Sequence, residues 1–138
     1  MLAAVVGGLT VVQPSPAMAG DCAKPRCGGV VRNASSRMVQ IANCWSGSPN
    51  VYVGTKPPCA TVFSQNLPKA YYFLNKNQSS TSLGKRYYDV DAFRAEAGCY
   101  TKLQENGSSW AYDRRGKDHY WVKISSDRKD VVITSVTC

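Results

Sequence analysis

Beyond its first two dozen residues, the chain is a succession of short runs. Apolar and polar positions alternate in most of them, and turn-forming residues separate them, which is the signature of β-strands. The pattern predicts strands over residues 29–33, 38–44 and 51–53. In the second of these, Val39 and Ile41 share one face and Gln40 takes the other. Residues 70–74 are apolar throughout and suit a buried strand. Residues 87–93 set Tyr88, Val90 and Ala92 against Asp89 and Asp91, and further strands are expected over 100–103, 110–112, 120–124 and 131–136. The spacers carry breakers: a polar loop at 76–84, an Asn106-Gly107 hairpin signal, and turns at 113–118 and 125–130. One ambiguity is local. Residues 91–98 could instead form a short helix capped by Asp91 and ended by Gly98. Eight or nine short strands at this spacing predict a mainly β fold, a single disulfide-stapled, β-sandwich-like domain following a signal peptide.

The first residues follow a different pattern. Residues 2–12 are uncharged and apolar, Gln13-Pro14-Ser15-Pro16 breaks any helix, and Ala17-Met18-Ala19 offers the small residues that signal peptidase requires. No Lys or Arg follows Met1, yet the order is that of a secretory signal. The apolar run is too short to span a bilayer. Cleavage is expected after Ala19, so residues 1–19 form the signal and residues 20–138 one secreted, extracellular domain of about 119 residues. The 17 Lys and Arg against 9 Asp and Glu give a formal charge of +8, all of it on that domain. Such a field favours acidic partners, polyanions or anionic surfaces without choosing among them.

Six cysteines, Cys22, Cys27, Cys44, Cys59, Cys99 and Cys138, all lie in the mature region, an even count that predicts three disulfides with the connectivity open. A bridge from Cys138 would tie down the last strand. Cys22 and Cys27 could staple a small loop with each other or join later partners. With no C-x-x-C pair and His119 as the only histidine, no metal or other cofactor is expected.

Several groupings of residues could carry chemistry. Asp118-His119-Tyr120 resembles the triplet that carries the histidine of barnase-type secreted ribonucleases, and Arg94, Arg114 or Arg115 could hold a phosphate. That family places a glutamate on the strand where this chain offers Asp89 or Asp91, and fewer residues follow its histidine. The two aspartates could also form a hydrolase pair or a calcium site, but a solvated strand face explains them with less. Ala23-Lys24-Pro25-Arg26, set between two cysteines, resembles the constrained basic loop of a protease inhibitor, although Pro25 would block cleavage after Lys24. No nucleophile elbow is present. The chain is therefore read as non-enzymatic, with a ribonuclease or toxin domain, or a protease inhibitor, as alternatives; nucleic acid is a partner only in the first of these.

Aromatics are the fuller signal. The adjacent pairs Tyr71-Tyr72, Tyr87-Tyr88 and Tyr120-Trp121 must place one ring on each strand face. Some rings are therefore expected at the surface beside Lys69, Lys85, Arg86 and Lys123, as in a binding surface.

The order of these elements resembles a group of small secreted actinobacterial proteins. It runs from Ala17-Met18-Ala19-Gly20, Asp21-Cys22 and residues 28–33 through Ile41-Ala42-Asn43-Cys44-Trp45. Residues 87–93, Gly98-Cys99 and Trp121-Val122-Lys123-Ile124-Ser125 follow. The pattern is similar to the small adaptor subunit of the umbrella toxin particles that Streptomyces species secrete against competing hyphae. That resemblance implies an adaptor linking a large polymorphic toxin to a lectin subunit, through strand addition and a cysteine-stapled projection. The positions available for those parts are Cys22, Lys24, Arg26, Cys27, Val30 and Val31 in the N-terminal arm, and Cys44, Trp45, Tyr52 and Cys59 in the next cysteine loop.

Overall fold

The computed structural model describes residues 22–124 and 129–138. The expected signal segment lies outside the described residues, as do residues 125–128 of the turn expected at 125–130.

Ten strands form two open sheets. They are β1 (Val30–Asn33), β2 (Val39–Ala42), β3 (Val51–Val53), β4 (Val62–Phe63), β5 (Ala70–Leu74), β6 (Ala92–Ala95), β7 (Tyr100–Glu105), β8 (Ser108–Asp113), β9 (Tyr120–Lys123) and β10 (Asp130–Thr137). The smaller sheet runs β1-β10-β7-β8 and the larger β3-β9-β6-β2-β5-β4, so neither closes into a barrel. Two edge pairs, β1 with β10 and β4 with β5, are parallel, and the others are antiparallel.

Alternation along the strands decides what meets in the middle. Val31, Leu103, Val131 and Ile133 from the smaller sheet join Val39, Ile41, Leu74, Phe93 and Val122 from the larger in one buried cluster. A second, smaller cluster sits on the other face of the larger sheet. There Ala42, Ala92 and Trp121 are covered by the half-buried rings of Trp45 and Tyr71.

Each cysteine pairs with the next one along the chain: Cys22 with Cys27, Cys44 with Cys59, and Cys99 with Cys138. The last bridge joins the start of β7 to the end of β10, tying the final strand down as its position suggested.

Two expectations are corrected. Residues 87–93 are not one strand: Lys85–Tyr87 forms a 3₁₀ turn and the strand begins only at Ala92. The alternation there is real, but Tyr87 and Tyr88 donate back to Gly84 and Lys85, while Val90 donates to Gly29 and Asp91 to Ala42. These main-chain groups are spent on turns and crossings rather than on a ladder. Nor is 91–98 a helix, since residues 92–95 pair with both β2 and β9. The polar loop at 76–84 holds a further 3₁₀ turn, Ser80–Leu83.

Candidate functional site

A sheet protein binds most readily through edges left open, and the edges of these two sheets differ in what covers them. β1 is covered. Asn33 donates to the carbonyl of Gln78 at 2.9 Å, Asn77 donates to that of Asn33 at 2.7 Å, and Val31 donates to Ser80 Oγ at 3.2 Å. β4 and β3 are two and three residues long. β8, with six residues, is the long open edge among the described residues.

Its geometry follows from the turn. Asn106 and Gly107 hold φ of 48° and 84°, the left-handed pair that a two-residue hairpin needs. The Glu105–Ser108 pair is then hydrogen-bonded, and bonded and non-bonded pairs alternate along the register. Arg114 donating to Cys99 at 2.8 Å continues that alternation. Ser109, Ala111 and Asp113 therefore turn their N–H and C=O groups outward, and among the described residues no main-chain hydrogen bond reaches them. Trp110 stands across from Leu103 on the core side of the sheet, yet is 56% exposed because β8 overhangs the core. Ser109 and Ala111, both small, leave a groove of about 430 Å³ with Lys102, Gln104 and Thr134.

At the opposite edge of the same sheet stands the stapled loop. Ala23, Lys24, Pro25 and Arg26 are all exposed. Arg26 has φ of 64° and its guanidinium reaches Asp130 at 2.8 Å. A left-handed, ion-paired residue is not the extended backbone that a protease cleft grips. Gly28 and Gly29 then pass so close to residues 89–90 that a Cβ on either would overlap the Asp89 carboxylate or the Val90 carbonyl. Gly29 donates to Asp89 Oδ1 at 2.8 Å, which anchors the base of the loop.

The other positions singled out from sequence fall in different places. Val30 and Val31 are buried and serve the core. Cys44 is buried and Cys59 half-buried. Trp45 lies over the Trp121 cluster and donates to Pro49 at 3.0 Å, so the second cysteine loop is a cover for the larger sheet. Tyr52, on β3, is exposed. The aromatic pairs expected at the surface are mostly covered: Tyr87 and Trp121 are fully buried, and Tyr71, Tyr72, Tyr88 and Tyr120 are half-buried.

His119 meets partners that the sequence reading did not assign to it. Glu96 lies one position beyond β6, and its Oε2 is 3.2 Å from His119 Nδ1. Arg94 grips the same carboxylate with Nε and Nη2, both at 3.0 Å, and donates from Nη1 to the carbonyl of Thr55 at 2.9 Å. Nδ1 also accepts the N–H of Ala97 at 3.1 Å. The missed glutamate had a signal. Arg94 and Glu96 are two apart on a strand and so share a face. A strand expected over 87–93 ends before both residues and hides it. Arg114 and Arg115 turn elsewhere, over the rings of Tyr120 and Tyr100.

Asp89 is spent on the N–H of Gly29, and no group of three or more metal-ligating side chains occurs among the described residues. Asp91 is half-buried and its Oδ2 has no hydrogen-bond partner. Burial, and then the neighbouring Asp89, push its pKa up to about 7 against the opposing pull of Lys123.

No family model, no curated protein and no solved structure matches this chain.

Proposed function

We propose that the chain is a secreted, non-enzymatic adaptor with a sandwich-like fold, holding two different proteins together outside the cell. The observation that carries this reading is the placement of two unlike features on opposite edges of one four-stranded sheet. At one edge is the open strand β8 with exposed Trp110, suited to accept an added strand. At the other, leading into β1, is the disulfide-closed basic loop of residues 22–27, whose rigidity lowers the ordering cost of insertion into a cleft. Three strand spacings separate them, about 14 Å. Two proteins could thus be held without competing for one surface. Three disulfides and the absence of a membrane-crossing helix among the described residues are consistent with an extracellular place of work. A large toxin subunit and a lectin subunit are the partners that the family resemblance suggests.

The test is affinity capture of the tagged mature protein from the producer's culture fluid, with mass spectrometry of what is retained. Two distinct secreted proteins are expected. Ala111→Pro should release one and Lys24→Glu with Arg26→Glu the other. Recovery of the protein alone would sink the reading.

A second reading, RNA cleavage, is favoured by one observation, the meeting of Arg94, Glu96 and His119. Glu96 would accept the proton of the attacking 2′-hydroxyl and a protonated His119 would donate to the leaving oxygen. It stands second because Arg94 and Glu96 already satisfy each other. Cleavage by the purified protein that disappears in both His119→Ala and Glu96→Gln would promote it.

A further inference from the structure

The segment from β4 to the start of β5 does something unusual for a short edge: it is held rigid while displaying apolar side chains. Val62, Phe63 and Leu67 are 46%, 48% and 49% exposed. Pro68 beside them is also exposed. The backbone behind them is pinned at several points. Tyr87 donates its hydroxyl to the Ser64 carbonyl at 2.7 Å, Gln65 Nε2 donates to Leu83 at 2.9 Å, and buried Asn43 donates to Leu67 at 3.0 Å. Arg86 Nε reaches the carbonyl of Asn66 at 3.3 Å, which brings a second chain segment, and Lys85 with it, to the rim of the loop. Exposed Lys69 closes the other side, at φ of 51°. Beneath the tip, Phe63 meets Tyr71, Tyr72 and Phe73, with ring centres 4.9–5.9 Å apart.

A floppy loop would fold such side chains away, whereas this one holds them out. They also stand at an edge strand of the larger sheet, away from the grooves beside β8, β1 and the Arg94 face. An exposed apolar tip suits a medium that deforms around it. A protein partner would have to offer a matching socket. Cations at the rim and a net charge of +8 favour an anionic surface. Half-buried tyrosines just below the apolar tip sit at the depth that amphipathic rings prefer in a bilayer.

We propose that residues 62–69 form a membrane-docking tip, in which Phe63 and Leu67 enter the headgroup region of an anionic lipid surface while Lys69 and Lys85 meet lipid phosphates. The tip rests on the surface and does not span it. This site is separate from β8 and from the stapled loop, so it stands or falls independently of the adaptor reading.

The test uses the full mature protein with vesicles of equal parts phosphatidylglycerol and phosphatidylcholine, compared with phosphatidylcholine alone. Co-sedimentation with the anionic vesicles is expected. Phe63→Ser and Leu67→Ser should each lower the partition coefficient about tenfold, in line with the transfer of one large apolar side chain. Phe63 also packs on Tyr71, Tyr72 and Phe73, so Phe63→Ser should melt lower than the parent while Leu67→Ser should match it, which makes Leu67→Ser the control for folding. Phe63→Trp provides a gain of signal: its emission should shift to shorter wavelength when anionic vesicles are added. Raising salt from ~0.05 M to ~0.5 M should weaken binding without abolishing it. Failure to bind anionic vesicles overturns the proposal. So does binding that the two serine variants leave unchanged, because charge alone would then explain it.

Discussion

At the scale of single residues, buried Asn33 and half-buried Asp91 have opposite standing. Asn33, at the end of β1, is fully satisfied. Its Nδ2 donates to Arg37 at 2.7 Å and to Leu74 at 3.1 Å, and its Oδ1 accepts from both the N–H and the hydroxyl of Ser35. Because Leu74 closes β5, this one amide ties the two sheets together. Asn33→Ala would strand buried carbonyls and should lower unfolding free energy by about 3 kcal/mol, measured by urea titration. Asp91 lacks such a partner. Its folded-state pKa of about 7 lies above its unfolded value near 3.8, so the folded protein keeps a proton that the unfolded chain has released. Stability from this group is greatest at low pH and declines as pH rises between those values. The decline is on the order of 4 kcal/mol, set first by burial, then by Asp89, with Lys123 opposing. Asp91→Asn should flatten that decline when urea midpoints at ~pH 4 and ~pH 8 are compared. A decline of the same size in the variant would place its origin elsewhere.

At the scale of elements, the open edge of β8 allows a substitution that separates binding from folding. The Ala111 N–H faces outward, so Ala111→Pro removes a donor from the edge and none from the β7–β8 ladder. Melting should stay within about 1 kcal/mol of the parent. Affinity for a strand-adding partner should fall at least about tenfold, checked by titration calorimetry. Most strands were legible because alternation, Asn106-Gly107 and the Gly98 and Gly116 turns all act locally. β4 escaped because two residues in parallel register leave no periodic trace. The Tyr87 region misled because its alternation is genuine while its main chain is committed to distant partners. The candidate sites were harder to read. Lys24 and Arg26 were legible as an exposed loop, since a five-residue separation between cysteines permits little else once they pair. Trp110 and the tip at 62–69 were not, because their exposure depends on which strand lies at an edge, and the meeting of Glu96 with His119 was not, because it depends on β6 lying beside β9.

At the scale of the whole molecule, the disulfides are unequal. Their sequence separations are 5, 15 and 39 residues. Restriction of the unfolded chain grows with the loop closed, giving about 2, 3 and 4 kcal/mol respectively. Replacing Cys99 and Cys138 by serine should therefore lower the melting temperature most, and replacing Cys22 and Cys27 least, as calorimetry of the three double variants would show. The first pair matters more for shape: it holds Lys24 and Arg26 out at one edge of the smaller sheet.

The same three bridges join neighbours in strict succession, so their loops neither cross nor nest. In a chain that emerges amino-terminal end first, every second thiol to arrive finds its native mate already waiting, and a hasty oxidant makes the right bond. Oxidation in order of arrival and oxidation to the native state are then the same process, with no shuffling enzyme in between.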